Sequence, residues 1–235
     1  MIDQKKAIDR GRWDHLFILD ACRYDLFKDT YGKYLEGDLK KSRSRAVCKN
    51  GVATSEWCKA TFTKRYDDIV YVSTTPHINS FSEVNGFKAA DHFYKVIDVW
   101  NTGWNDEKGT VLPDVVNEEI LKTRERFPDK KIIAHYMQPH FPYLTMDNPF
   151  NPKQKDPGAH DNLKRSVRNF FGSRVRRVLG GRATRKLVRT LHLPPINPMD
   201  ETLRKVGHDG LVKAYKDNLD IVLKSIGKLT NSLEG

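Results

Sequence analysis

Short apolar runs alternate with longer stretches of helical spacing over the first 136 residues. His15-Leu16-Phe17-Ile18-Leu19 is a continuous run that ends in Asp20, which predicts a strand covered on both faces. Asp68 to Ser73 predicts a second strand, closed by Thr74-Thr75-Pro76, and Phe93 to Trp100 a third. Asp114 to Phe127 follows Pro113, carries Val115, Val116, Ile120 and Leu121 along one side, and stops at Pro128; it reads as a helix. Lys131 to Tyr136 predicts the next strand. Strands joined by helical crossovers imply a mostly parallel sheet with helices on both faces, an α/β three-layer sandwich. Ligands of such sheets gather at the carboxyl ends of the strands, where Asp20 and the segment from His135 to His140 fall.

Beyond Tyr143 the pattern changes. Residues 144–161 are rich in Asn, Asp, Pro and Lys and read as loop. In the next stretch Val167, Phe171, Val175 and Val178 recur at helical spacing, Gly180-Gly181 interrupts, and a short helix is predicted from Arg182 to Leu191. Val212, Tyr215, Leu219, Val222, Ile226 and Leu229 then predict a closing helix, after which the chain stops at Gly235.

Charge separates one segment from the rest. The net charge is +11, yet Asn162 to Met199 holds ten Lys and Arg with no Asp or Glu, so the remainder carries 11 − 10 = +1. A polyanion binder would spread its basic residues more widely. At 235 residues the chain suits a single domain, residues 1–235, with a basic insert at about 162–199. A domain of that size buries roughly 70–75% of its unfolded surface and needs no disulfide staples. The three cysteines, Cys22, Cys48 and Cys58, form no C-x-x-C pair and read as free thiols in a reducing compartment. The first residues lack the apolar core of a secretory signal, and no apolar run approaches the ~18 residues of a membrane span. A cytoplasmic protein, at most peripheral at a membrane, is expected.

Three places could carry chemistry. Asp20, at a strand end, could bind a hard cation, with Arg23 nearby to grip an anionic substrate; equally, Asp20 could cap the following helix. Thr54 opens a helical run, Glu56 to Phe62, where a hydroxyl could act as a nucleophile and backbone N–H groups could steady anionic oxygens. An N-cap role for Thr54 or Ser55 is the plainer alternative. His140, bracketed by Pro139 and Pro142, could protonate a leaving group or bind a substrate oxygen, although a lone histidine is commonly just a satisfied surface or core residue.

The order of these features resembles the sulfatase-like branch of the alkaline phosphatase superfamily. Phe17 to Asp25 looks like its first metal-ligand motif, His135-Tyr136-Met137-Gln138-Pro139-His140-Phe141-Pro142-Tyr143 like its mid-domain histidine motif, and Ala214 to Leu219 like the helix before its last metal motif. The resemblance covers most of residues 11–143 and 211–230. It implies an alkaline-phosphatase-like fold and a metal-dependent hydrolase or phosphotransferase acting on phosphate or sulfate esters, for which a glycan or lipid-linked substrate is one expectation. Asp20 would be a metal ligand, Thr54 the nucleophile and a second ligand, Arg23 a substrate contact, and His140 the group assisting substrate or leaving group. The cofactor implied is a divalent cation: Zn, Mn, Mg or Ca.

Two departures qualify the resemblance. No Cys, nor Ser55, is followed by the Pro and Arg of formylglycine-dependent sulfatases, which favours phosphate esters. The family's final Asp-His pair is absent after residue 211, so the chain reads as truncated at its C-terminal end, a fragment, or an inactive relative. In the inactive alternative, the domain binds anionic ligands or a membrane through its insert. Residues 162–193 themselves admit packing on the domain, an anionic membrane surface, or nucleic acid, the last disfavoured for want of interleaved aromatic residues.

Overall fold

The structure, a computed structural model, describes residues 2–44, 46, 53–147 and 198–234. The chain divides into two compact units, residues 1–147 with 214–235, and residues 148–213. In chain order the first unit holds β1 (Ile2–Asp3), α1 (Gln4–Arg10), β2 (His15–Leu19), α2 (Tyr24–Thr30), β3 (Ser42–Arg43), α3 (Ala53–Thr61) and β4 (Tyr66–Ser73). There follow β5 (Phe93–Asp98), α4 (Val99–Thr102), β6 (Trp104–Asn105), β7 (Thr110–Val111), α5 (Pro113–Arg126) and β8 (Lys131–Tyr136). The helical stretch α6 (Pro198–Glu234) comes last; its backbone leaves helical geometry at Gly207, where φ is 70°, a value natural to glycine. Its residues from Ala214 onward belong to the first unit.

Four strands make the main sheet in the order β2-β8-β4-β5, every neighbouring pair parallel. Alternation along each strand sorts side chains to two cores. Val72, Ile132, Ala134 and Tyr136 face one core with Val116 and Ile120 of α5 and Leu219, Val222, Leu223 and Ile226 of α6. Ile69, Tyr71 and Ile133 face the other, with Cys58 and Phe62 at α3 and Ile8 of α1 packed against it. Helices thus flank the sheet on both faces, as a three-layer α/β sandwich requires.

The strand His15–Leu19 has the bounds its apolar run predicts, but not the burial. All five residues are half-buried, because among the described strands β2 is at the edge, with β8 as its one neighbour. At its other edge, the third predicted strand stops at Asp98 and turns into α4 rather than reaching Trp100.

The helix α6 is tied to the sheet by polar links as well as apolar burial. Tyr136 donates to Asn117 Oδ1 at 2.7 Å, Asn117 donates to the carbonyl and hydroxyl of Ser225 at 2.9 Å, and Ser225 donates to Asp114 at 2.6 Å. At Gly227 the helix comes so near the segment after α2 that a Cβ would sit 2.5 Å from the Tyr34 carbonyl oxygen. Among the described residues no helix is long and apolar enough to cross a membrane. The predicted helices of the basic insert, and its membrane-facing stripe, lie outside the described residues.

Candidate functional site

The carboxyl ends of the strands form a rim whose polar groups are mostly spent within the fold. Thr74 donates its hydroxyl to the His135 carbonyl at 2.6 Å, and Ser73 donates to the Thr75 carbonyl at 3.0 Å. Asp98 accepts from the Ser80 hydroxyl at 2.6 Å and from the Trp100 indole at 3.2 Å. The Asp20 carboxylate is different: among the described residues it has no hydrogen bond and no ion pair. Its backbone N–H continues the ladder to the Tyr136 carbonyl at 3.0 Å, and the next residue, Ala21, turns the chain at a φ of 54°. The following helix starts at Tyr24 with Arg23 in the cap position, so Asp20 does not cap it. That plainer reading of Asp20 falls away.

Arg23 is already engaged. Its guanidinium donates to Asp25 through Nε at 3.1 Å and Nη2 at 2.6 Å, the two-pronged geometry that suits a carboxylate. The pairing holds the exposed Asp25 carboxyl at about 2, below its ordinary 3.8. A carboxyl depressed by folding keeps its contribution above pH 3.8 and loses it as the pH falls through about 2. An NMR titration of the full chain is expected to find Asp25 titrating near 2 and returning toward 3.8 in Arg23→Ala. An unshifted Asp25 in both would show that the pair does not persist in solution.

Thr54 and Ser55 lie inside the first turn of α3, which begins at Ala53, and therefore not in the N-cap position. Ser55 is completely buried, its hydroxyl without a partner, whereas Thr54 is half-buried. Thr54 and Cys58, four residues apart, share one stripe of the helix. The Cys58 thiol is pushed up chiefly by burial and further by the negative charge of Asp20, so α3 and the end of β2 stand within electrostatic reach. Trp57 donates to Gln4 at 2.9 Å, fixing α3 against α1.

At the end of β8 the chain enters the turn that carries His140, with cis peptide bonds before Pro139 and Pro142. The His140 N–H donates to the Met137 carbonyl at 3.0 Å, and the ring Nδ1 bonds to the Phe141 carbonyl. A carbonyl only accepts, so Nδ1 carries the proton and the exposed ring is left with Nε2 to meet a ligand. His135, five residues earlier on the α3 face of the sheet, is 2% exposed. Burial pulls its pKa down, Asp20 raises it and His140 lowers it, so His135 is within electrostatic reach of both.

Two side chains of α6 hold these turns, and neither was singled out for chemistry in the sequence. Tyr215 accepts from the Arg23 N–H at 2.8 Å and donates to the Ala21 carbonyl at 3.0 Å. Asn218, fully buried, donates to the His140 and Pro142 carbonyls at 3.2 and 3.1 Å and accepts from the Leu144 N–H at 2.7 Å. They sit three residues apart on one helical face, so a single rigid element sets both the Asp20 turn and the His140 turn. Only the partner contacts reveal this; the sequence offered the helical spacing of Tyr215 and Leu219 and the resemblance of Ala214 to Leu219 to a family helix, neither of which points to these partners.

Asp20, His135 and His140 are thus brought into one electrostatic neighbourhood, with Cys58 linking it to the helix of Thr54; no hydrogen bond joins Asp20, Thr54 and His140 directly. Among the described residues no three His, Cys, Asp or Glu side chains are grouped to hold a metal ion. Asp20 and Thr54 would supply two ligand residues, fewer than the three protein ligands usual at a catalytic zinc. The described donors do not make a complete cation site. No protein-family model, curated protein or solved structure matches this chain.

Proposed function

We propose that this chain acts on phosphate or sulfate esters, in the manner of the sulfatase-like hydrolases and phosphotransferases, on an alkaline-phosphatase-like fold. The observation that carries the reading is the Asp20 carboxylate: it follows the end of a parallel strand, has no hydrogen bond or ion pair among the described residues, and acts electrostatically on Cys58 and His135, which connect it to the helix of Thr54 and the turn of His140. Thr54 is the nucleophile. Its oxygen bonds to phosphorus or sulfur as its proton passes to Asp20, and the ester bond breaks with its electron pair leaving on the alcohol oxygen. His140 supplies that oxygen with a proton. Water then releases the phosphoryl or sulfuryl group from Thr54. A divalent cation would supply charge neutralisation to the ester if bound, and of the described residues Asp20 and Thr54 would contribute to holding it.

The test is hydrolysis of 4-nitrophenyl phosphate and 4-nitrophenyl sulfate by the full chain, with Mn2+ or Zn2+ present and with chelator. Turnover of the phosphate ester, lowered at least about a hundredfold in Asp20→Asn, is expected. No turnover of either ester contradicts this reading and leaves the anion-binding alternative. That alternative draws on the ten Lys and Arg of residues 162–199, which carry no Asp or Glu and suit an anionic membrane surface. It predicts that the chain sediments with vesicles containing phosphatidylserine and that deletion of residues 162–193 abolishes this; equal sedimentation of both forms removes the insert from the interaction.

A further inference from the structure

His135 is a polar group buried on the α3 face of the sheet, and half of it is unsatisfied. Its Nδ1 lies 2.8 Å from the Tyr71 hydroxyl, while its Nε2 is buried without a hydrogen-bond partner. Two proton arrangements are open to the pair. If Nδ1 carries the proton, the Tyr71 oxygen accepts it; the phenol proton then has no acceptor and the Nε2 lone pair no donor. If Tyr71 donates to Nδ1, one group alone is unmatched, the Nε2–H. Each buried unmatched group costs about 1–3 kcal/mol, so the second arrangement prevails. Burial keeps both partners in the required state: it pulls the imidazole toward neutrality and raises Tyr71 well above its ordinary range.

A donor without an acceptor therefore shares a neighbourhood with an acceptor without a donor. The register pairs Ile18 with His135 and Leu19 with Tyr136. Asp20 follows Leu19 while its N–H still bonds the Tyr136 carbonyl, so by alternation it belongs to the same face of the sheet as Ile18 and His135. The charge of Asp20 acts on His135, on Tyr71 and on Cys58, three of the polar groups buried on that side of the sheet.

We propose that His135 is a positioning residue for Asp20: the Tyr71 hydroxyl fixes the imidazole through Nδ1 and leaves the Nε2–H as the donor available to the Asp20 carboxylate at the rim of the sheet. The proposal rests on the reading of Asp20 as a site residue. The chain Tyr71–His135–Asp20 plays the part that outer hydrogen bonds play for any carboxylate whose lone pairs must point one way. A histidine present only to fill the core would be indifferent to Asp20.

Imidazole 15N and 1H NMR of the full chain, at a pH where the ring is neutral, reads this directly. The Nε2-protonated tautomer is expected for His135. Its Nε2–H proton resonance shifts in Asp20→Asn, and Tyr71→Phe mixes the two tautomers. An Nδ1-protonated ring, or an Nε2–H resonance unmoved by Asp20→Asn, overturns the proposal. Ester turnover supplies a second arm. His135→Leu lowers kcat about tenfold or more with KM little changed, and His135→Gln, whose amide still donates, regains part of the loss. Equal losses in two folded variants count against positioning. If the parent chain turns over neither ester, the proposed chemistry fails, while the NMR result still decides the link between His135 and Asp20.

Discussion

Replacing Thr54 by alanine is expected to lower ester turnover by at least about a thousandfold while leaving the fold intact. The size of the loss follows from the role: without the hydroxyl no covalent intermediate forms, and what remains is binding plus whatever attack water achieves on a bound ester. The fold is expected to persist because Thr54 is inside the first turn of α3 and does not cap it. Alanine is the best helix former, so the change in stability stays within about 1 kcal/mol. Ser55 cannot take over, since it is completely buried. Thr54→Ser, which restores a hydroxyl, should recover part of the rate. Parallel measurement of kcat/KM and chemical unfolding separates the two effects, and unchanged turnover in Thr54→Ala would remove this residue from the chemistry.

The largest effect on stability is expected at Asn218. Truncation to alanine strips three hydrogen bonds at once, leaving the Leu144 N–H and the His140 and Pro142 carbonyls without their partner and opening a void beside them. Unmatched groups of this kind cost about 1–3 kcal/mol each when water cannot reach them, and partial relaxation brings the sum to about 2–4 kcal/mol. In a domain of this size that lowers the midpoint of thermal unfolding by roughly 5–15 °C. Asn218→Asp keeps the acceptor and loses both donors, so it should fall in the same direction. Turnover should fall too, because the turn carrying His140 loses its anchor. A loss under about 0.5 kcal/mol would mean that the turn holds itself without α6.

What could be read from the sequence follows from how local each signal is. The strands His15–Leu19 and Lys131–Tyr136 are continuous apolar runs and emerge with the bounds expected. The strand β4 begins two residues before the predicted Asp68, because Tyr66 is buried by its ring contacts with Phe62 and Phe93 while the exposed Asp67 hides the start. The short pair β1 and β3 escaped notice for a similar reason: two residues on each side leave no periodicity to detect. Edge or centre is likewise invisible in composition, which is why β2 looked fully covered.

At the site, Asp20 and His140 could be picked out because each ends an apolar strand in a sharp turn. Their supports could not. Asn218 is 74 residues from Leu144, and Tyr215 is 192 residues from Arg23. Nothing local to either sequence position announces such a partner. His135 looked like part of a strand, and so it is; only its pairing with Tyr71, 64 residues away, exposes an idle Nε2.

The account depends on a hydroxyl at the start of α3 attacking an ester. Rapid acid quench during turnover of a phosphate ester, followed by peptide mass spectrometry of the full chain, looks for the bond that this attack creates. A phosphoryl group on Thr54, absent from Thr54→Ala, is the predicted result. Turnover with no label on the protein, or with the label on another side chain, would contradict it.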